Sequence, residues 1–399
     1  MSSSLSASLI DFGWFRQHLL NDIFPHWLNA VTSEGLFLSH FDRQWRTIPK
    51  NFGTLVSQSR LLYDFAKGYE LTQDEQYRRA VEAGAYFLLE KFRDRDYGGW
   101  YWSCNRAGEV LDPRKDSYGH AFVIFGLAHA CQCTGNQEFK AAALETWEIF
   151  QTRFHDEYGG YRWRMTREFQ PAEQIKSQNP IMHLFEALLA LSDVKDTAYI
   201  RKDAEQVANF ILTKLVRPSD RRLPEVYSPD WQELPAGPIG PGPVSEGGRL
   251  DVGHAFEWSF LLSTAVERGL PAHYLDYATS FINYGMLLGY DAQAGGIYSP
   301  ADPTGQLLSQ RKGWWEQCEA ARALMHFVVR RQRDDFRQPL AQTVAFIQKQ
   351  FVDPVYGGWY MTLEPGGDPT NQDKGTEWKV DYHVVGMCME GVRLAAEVK

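Results

Sequence analysis

Two kinds of helical pattern alternate along the chain. Residues 120–133 are apolar nearly all round, whereas residues 138–154 place their large apolar side chains on one face and their charges elsewhere. The first pattern predicts a buried helix and the second predicts an amphipathic helix at the surface. The same alternation recurs in three further pairs of segments: 183–191 with 199–215, 254–265 with 274–288, and 316–329 with 336–351. Helices at 11–30 and 382–396 would then pair across the two ends of the chain.

A Gly-Gly turn flanked by aromatic residues separates these helix pairs. Four copies are clear, at Gly98-Gly99, Gly159-Gly160, Gly295-Gly296 and Gly357-Gly358. They repeat at about 62 residues with one double gap, which implies a degenerate copy near 224–227, and the segment 33–37 is similar to a sixth. Six such periods cover nearly the whole chain.

Twelve alternating helices can bury their apolar faces by closing into a ring. We therefore predict an all-α fold, an (α/α)6 barrel of six inner and six outer helices, with residues 1–399 as a single domain. An open helical solenoid is the competing architecture, but its repeats are usually about 34 to 47 residues long. One Pro- and Gly-rich loop, at about 217–251, breaks the rhythm, and we expect it to end at the functional cleft.

Composition narrows the class of protein. The chain is 44% hydrophobic and 23% charged, and it contains no apolar run long enough to cross a membrane. A formal charge of -9 argues against a nucleic-acid partner. Five cysteines without a CxxC pair predict reduced thiols. Residues 1–8 do not resemble a secretory signal, so we expect a cytoplasmic protein, with the choice between monomer and dimer left open.

The candidate chemistry lies where the predicted inner helices begin. Aligned there are Arg60, His120, His183, His254, Glu316 and His383, and the ring should bring them to one end. Glutamates three residues after His183, His254 and Glu316 share a helix face with them and can orient an imidazole. The first turn of a helix tends to keep histidine neutral, which suits general acid–base catalysis. HxH, HExxH, Walker and dinucleotide motifs are absent, so we expect neither a metal nor another cofactor.

Five motifs carry a resemblance to a known family: residues 58–63 (QSRLLY), 179–187 (NPIMHLFEA), 253–258 (GHAFEW), 314–320 (WWEQCEA) and 382–383 (YH). Together they resemble the N-acylglucosamine 2-epimerase superfamily, which includes cellobiose 2-epimerases and mannose isomerases. The resemblance implies that His254 and His383 are the catalytic acid–base pair. It also implies that Arg60 holds substrate oxygens, and that Glu257 and Glu319 support the histidines or the sugar. Tyr118, Asn179, His183, Trp315 and Trp378 complete the expected substrate-binding set.

The reaction implied by this resemblance begins with removal of a proton beside an aldose carbonyl, which gives a cis-enediolate. Return of the proton to C1 makes a ketose, and return to the opposite face of C2 makes the epimer. His183 argues against an acylglucosamine substrate, and residues 253–258 and 379–383 look more like those of the mannose and sulfoquinovose isomerases. We therefore expect interconversion of D-mannose and D-fructose. The alternatives are a 2-epimerase acting on D-mannose and D-glucose or on a related disaccharide, a glycoside hydrolase using Glu257 and Glu319, and a non-catalytic partner-binding protein.

Overall fold

A computed structural model describes residues 10–50, 52–173, 175–237 and 247–398. Within these ranges the chain forms twelve helices, numbered α1–α12. The even-numbered helices are α2 (Leu55–Thr72), α4 (Ser117–Thr134), α6 (Asn179–Ser192), α8 (Val252–Glu267), α10 (Trp314–Arg330) and α12 (Tyr382–Ala395). The polar start of the chain and residues 238–246 of the predicted loop lie outside the described residues.

Most of the odd-numbered helices combine an α-helical segment with a π-helical turn. They are α1 (α-helical at Phe12–His18 and Phe24–Leu28, joined by a π-turn at Leu19–Ile23), α3 (Glu75–Phe87, then a π-turn at Leu88–Phe92), α5 (Gln137–Ile149, then a π-turn at Phe150–Phe154) and α7 (Ile200–Phe210, then a π-turn at Ile211–Leu215). The last two are α9 (Tyr274–Gly289) and α11 (Arg337–Phe346, then a π-turn at Ile347–Phe351), and a 3-10 turn at Asp334–Phe336 precedes α11.

The even-numbered helices form a closed inner ring. Each packs against the next one, and α12 packs against both α10 and α2. Each odd-numbered helix packs outside an inner one, in the pairs α1–α12, α3–α2, α5–α4, α7–α6, α9–α8 and α11–α10. α8 is buried from Val252 to Ala265, whereas α7 buries a single stripe of small and apolar residues. The predicted (α/α)6 barrel is therefore confirmed, and its two helical patterns have the predicted burial.

Short antiparallel strands, which the sequence analysis did not predict, connect the segments that precede the inner helices. The described strands are β1 (Phe52–Thr54), β2 (Ser103–Asn105), β3 (Val110–Asp112), β4 (Lys115–Asp116), β5 (Arg164–Met165), β6 (Lys176–Ser177), β7 (Val226–Tyr227), β8 (Lys312–Gly313), β9 (Thr362–Leu363) and β10 (Pro369–Asn371). They pair in the orders β1-β2-β3, β4-β5, β6-β7 and β10-β9-β8. Strands of two or three residues are too short to show a hydrophobic period.

Each Gly-Gly turn encloses a buried ion pair. Gly98 and Gly99 have φ angles of 80° and 68°, a left-handed conformation that glycine adopts without strain. Inside this turn Asp94 accepts the backbone N–H groups of Asp96 and Tyr97, and its other oxygen lies 2.8 Å from Nζ of Lys115. The same arrangement recurs as Asp291–Lys312 at 2.8 Å and Asp353–Lys374 at 2.9 Å. In the remaining turn Asp156 lies 2.6 Å from Lys176, which shares Oδ1 with the N–H of Tyr158.

These ion pairs connect the segments at the end of the barrel where the inner helices begin, which we call the rim. Lys115, Lys176 and Lys312 each lie within three residues of the start of an inner helix, so each pair joins that start to the turn that follows an outer helix. Burial raises the pKa of Asp94, but hydrogen bonds from Arg167 and Lys115 outweigh it and hold the pKa well below its ordinary value. The sequence signal is a lysine 20 or 21 residues after the aspartate, which the pattern of glycines alone does not reveal.

Two further observations bear on the class of protein. No helix within the described ranges is both long and apolar enough to cross a membrane. All five cysteines are free thiols, and four of them are buried.

The buried ion pairs can be tested inside a single turn. Asp94→Asn keeps the size of the side chain but leaves the fully buried Lys115 ammonium without its carboxylate. We expect the free energy of unfolding to fall by about 3–5 kcal/mol, measured by urea denaturation. The matched control is Asp96→Asn in the same turn, where the side chain is 75% exposed and the loss should stay within about 0.5 kcal/mol. Equal losses in the two variants would contradict a special role for the buried pair.

Candidate active site

The candidate residues meet where the inner helices begin. Arg60, Tyr118, His183, His254, Glu257, Trp315, Glu319, Trp378 and His383 are joined by hydrogen bonds, ion pairs and ring contacts within one cluster. The three histidines in it are at most 9% exposed. Asn179 begins α6 at the edge of this cluster, and its Oδ1 is buried without a hydrogen-bond partner among the described residues.

His254 is held by a carboxylate from outside its own helix. Its Nδ1 lies 2.8 Å from Oε2 of Glu225, and Gln178 donates to the same oxygen at 2.8 Å. Trp258 in turn donates from Nε1 to Oε1 of Gln178 at 2.7 Å. Because the carboxylate is an acceptor, Nδ1 of His254 carries a proton and Nε2 is the nitrogen left for a ligand.

This contact makes His254 a cation. Burial lowers the pKa of His254, but the charges of Glu225 and Asp251 and the hydrogen bond with Glu225 together outweigh burial and raise it to about 10. Burial raises the pKa of Glu225, but the charge of His254 and its hydrogen bond, with smaller contributions from Arg249 and Gln178, together bring it down to about 2. Two expectations are thereby wrong: His254 is charged rather than neutral, and its partner is Glu225 rather than Glu257 three residues on.

Glu225 and Gln178 are residues of the candidate site that the sequence analysis missed. They become neighbours because β6 and β7 pair, with Ser177 opposite Val226. Glu225 lies in the degenerate repeat copy near 224–227, within the long predicted loop, so the expectation that this loop reaches the cleft is confirmed for its described part. Gln178 and Glu225 are far apart in sequence, so no periodic pattern of residues would have predicted their contact.

His383, unlike His254, is neutral. Its Nδ1 lies 2.7 Å from Oε1 of Glu319, which belongs to the neighbouring helix α10. Burial and the positive charge of Arg60 hold the pKa of His383 well below its ordinary value, so the ring is neutral. Burial also raises the pKa of Glu319 to about 7, against the lowering effect of Arg322. A neutral imidazole whose Nδ1–H is directed at a carboxyl oxygen leaves Nε2 unprotonated, so Nε2 is the atom that can accept a proton.

Trp315 contacts both imidazoles. Its ring centroid lies 5.0 Å from that of His254 and 5.5 Å from that of His383. Gly253 makes this possible, because a Cβ at that position would lie 2.5 Å from the indole. The cleft therefore holds a charged and a neutral imidazole that contact the same aromatic ring.

His183 forms the third histidine–carboxylate pair, and here the predicted spacing is confirmed. Its Nδ1 lies 3.0 Å from Oε2 of Glu186, which also accepts the hydroxyl of Tyr382. Glu257 lies 3.9 Å from the same Nδ1, and its carboxyl group has no hydrogen-bond partner within the described ranges. Burial, with the charges of Glu319 and Glu186, raises the pKa of Glu257 well above its ordinary value. Glu257 is therefore a neutral acid that can donate a hydrogen bond to a ligand.

Arg60 supplies the positive charge on the cleft side. It donates to the hydroxyl of Tyr118 at 2.7 Å and to the carbonyl of Trp378 at 3.3 Å, and its guanidinium stacks 4.3 Å from the ring centroid of Phe122. Arg60 is the sixth residue of α2 rather than its first, yet its long side chain still reaches the cluster.

His120 does not join the cluster, which corrects the alignment that grouped it with the other histidines. Its Nδ1 contacts the carbonyl of Asp116 at 2.8 Å, and its Nε2 accepts the N–H of Trp100 at 3.1 Å. Burial lowers its pKa to about 3. In α2 and α10 the same fourth position of the helix is taken by Gln58 and Gln317, which also accept N–H groups of the preceding turn. His120 therefore has a structural role.

Two groups in the cluster bring ligand-type atoms within 4.8 Å of one another: His183, Glu186 and Glu257, and Glu257, Glu319 and His383. In both groups Nδ1 of the histidine already lies at hydrogen-bond distance from one carboxylate oxygen. We interpret both as hydrogen-bonded acid–base networks, and the absence of a metal requirement remains a prediction.

The chain matches known proteins over most of its length. The family model for N-acylglucosamine 2-epimerase matches residues 35–387. A D-mannose isomerase from Marinomonas mediterranea is 26% identical over 365 residues, which cover 90% of this chain and 92% of that protein. A cellobiose 2-epimerase from Bacteroides fragilis is 25% identical over 94% of this chain and 97% of that protein. The crystal structure of a D-mannose isomerase has the same fold, with a TM-score of 0.87, 23% identity, and coverage of 98% of this chain and 100% of the other.

The His254–Glu225 pair predicts a particular dependence of stability on pH. In the folded protein the pKa of His254 is about 10, above its ordinary 6.5, so its stabilisation is complete below pH 6.5 and is lost as pH rises through 10. The pKa of Glu225, about 2 against an ordinary 4.5, adds stabilisation that is lost as pH falls through 2. Glu225→Gln should therefore destabilise the protein more at pH 6 than at pH 9, measured by urea unfolding.

The control for this substitution lies in the same loop. Glu233→Gln removes the partner of Arg217, which does not titrate between pH 6 and 9, so its smaller effect should be the same at both values. NMR of ring-labelled histidine should also show that Glu225→Gln brings the pKa of His254 below 6.5. If Glu225→Gln costs the same stability at pH 6 and pH 9, the assigned charge of His254 is wrong.

Proposed function

Since the chain belongs to the N-acylglucosamine 2-epimerase family, and is thereby a sugar isomerase or epimerase, we propose that it interconverts D-mannose and D-fructose. The observation that carries this proposal is the unlike pair of imidazoles that both contact Trp315. One is neutral and able to take a proton from carbon, and the other is charged and able to give a proton to oxygen. The D-mannose isomerase that matches 90% of the chain supports the choice of sugar.

The proposed mechanism assigns the base role to His383. Glu319 keeps the proton of His383 on Nδ1, so Nε2 is the atom that takes the proton from C2 of the open-chain aldose. His254 donates its Nε2 proton to O1 at the same time, which gives a cis-enediol. Arg60 stabilises the negative charge that develops on the sugar oxygens, which is electrostatic stabilisation by a preorganised donor.

The second half of the reaction restores both histidines. His383 returns its proton to C1, and His254 takes the proton from O2, so that a carbonyl forms at C2 and the ketose is complete. Glu257, as a neutral acid without a partner among the described residues, is available to bind a further sugar oxygen. His183 and Tyr118 pack beside it and complete the proposed binding surface.

A 2-epimerase acting on D-mannose and D-glucose, or on a related disaccharide, is the second candidate. The observation that favours it is that His254, a second proton donor, contacts the same Trp315 ring as His383, because inversion at C2 needs two groups that exchange protons with that carbon. The hydrolase alternative has less support. It requires one ionised carboxylate opposite one acid, whereas burial raises the pKa of both Glu257 and Glu319.

The choice between isomerase and epimerase is tested with D-mannose in deuterated water, followed by NMR. We expect D-fructose as the first product, with deuterium at C1 to the extent that His383 exchanges its proton with solvent. A chelator should leave the rate unchanged. D-Glucose as the first product would make the protein a 2-epimerase. Neither product nor deuterium at C2 would contradict the choice of D-mannose and direct the search to disaccharides.

The division of labour between the histidines is tested by substitution. His383→Asn should lower the turnover of D-mannose by about 10²–10⁴-fold and abolish exchange at C2, because it removes the base. His254→Asn should slow turnover comparably but retain measurable exchange of the C2 proton. The matched control is His155→Asn, an exposed histidine outside the cluster, which should retain full activity. Retention of C2 exchange by His383→Asn alone would reverse the assignment.

A further inference from the structure

The end of the barrel opposite the cleft also opens to solvent. A cavity of about 880 Å³ lies there, lined by the carboxyl-terminal parts of the inner helices. Two of its lining residues, Glu186 and Arg322, also contact the histidine–carboxylate network of the cleft. The network is thus in contact with charged groups on both sides.

Arg322 is a residue of α10, one helical turn after Glu319, and its side chain lies between Phe260 of α8 and Gly386 of α12. Its Nη1 is 3.5 Å from Oε2 of Glu319, and its guanidinium stacks 4.0 Å from the ring centroid of Phe260. Gly386, three residues after His383 on α12, leaves the space for this side chain, since a Cβ there would lie 3.3 Å from Nη1. The guanidinium is therefore held by packing on both sides.

The buried carboxyl groups around His183 and His383 require a cation at the position of Arg322. Glu186, Glu257 and Glu319 are all buried, and two of them lie within 4.8 Å of the same histidine. A buried carboxylate is costly unless it is paired with a cation or hydrogen-bonded. Arg60 supplies a positive charge on the cleft side, where it binds Tyr118. Arg322 supplies a positive charge on the side of the opposite cavity, where it contacts Glu319.

We propose that Arg322 is a positioning residue, which holds the Glu319 carboxylate in place and thereby keeps the proton of His383 on Nδ1. Oε1 of Glu319 faces His383 at 2.7 Å while Oε2 faces Arg322, so the three groups form one chain across the inner ring. Arg322 itself lines the far cavity and does not contact the expected sugar-binding residues Tyr118, Trp315 or Trp378 in any described interaction. The inference rests on the proposed function in that it takes His383 as the base.

The kinetic test compares two arginines of the same helix that line the same cavity. Arg322→Met should lower kcat by about 10–100-fold, as expected for an outer partner of a catalytic group, and leave KM within about twofold. Arg330→Met removes an arginine paired with Glu267 at the cavity mouth and should leave both constants unchanged. Arg322→Lys should restore part of kcat, because it returns the charge without the fork geometry.

Chemical rescue separates positioning from a general loss of structure. In Arg322→Ala the truncated side chain enlarges the far cavity, so methylguanidinium at millimolar concentration should enter it and raise kcat several-fold. Urea at the same concentration is the uncharged control and should give no recovery. No recovery with methylguanidinium, together with a lowered melting temperature, would overturn the proposal in favour of a structural role.

A spectroscopic readout does not depend on turnover. NMR of protein labelled with ¹⁵N in its histidine rings should show His383 protonated at Nδ1 in the wild type and a mixture of tautomers in Arg322→Met. A wild-type protein that turns over no D-mannose would contradict the proposed function, while this spectrum would still decide the role of Arg322. An unchanged tautomer together with unchanged kcat in Arg322→Met would overturn the inference.

Discussion

The burial of ionisable groups inside a closed ring of helices is the constraint from which the chemistry of the cleft follows. Glu186, Glu225, Glu257 and Glu319 are all at most 6% exposed, so water does little to stabilise their charges. Each must be paired with a cation, accept hydrogen bonds or become neutral. Glu225 is paired with His254 and stays ionised, Glu257 has no partner among the described residues and is neutral, and Glu319 lies between a histidine and an arginine. The charge states of the histidines follow from these pairings.

Buried charged groups have a structural role at the rim of the barrel. The lysine–aspartate pairs of the Gly-Gly turns are as buried as the histidine–carboxylate pairs, but backbone N–H groups complete each carboxylate, and an arginine also contacts three of the four aspartates. Such an arrangement holds one geometry. The rim thereby fixes where the inner helices begin, and the cleft residues lie on those helices. Rigid ion pairs surround a network in which protons can move.

The sequence predicts the architecture well, because apolar periodicity and a repeat of about 62 residues are properties of local segments. It also predicts most of the candidate cleft residues, which lie on the first two turns of those helices. It fails for His120, because this side chain faces the preceding Gly-Gly turn, where it accepts the N–H of Trp100, and does not face the cleft. It fails for Glu225 and Gln178, which strand pairing brings together. The charge of His254 could not be predicted either, because it depends on Glu225.

Closure of the ring has a consequence for how the protein is made. The helix that joins α10 to α2 is α12, the last of the twelve in the chain, and it carries His383. During synthesis the other eleven helices emerge first, so the barrel lacks its final wall and its proposed base until the same late step. A chain that is interrupted or cleaved before residue 382 has an open ring and no His383. Closure of the ring and the presence of the proposed base are therefore acquired together.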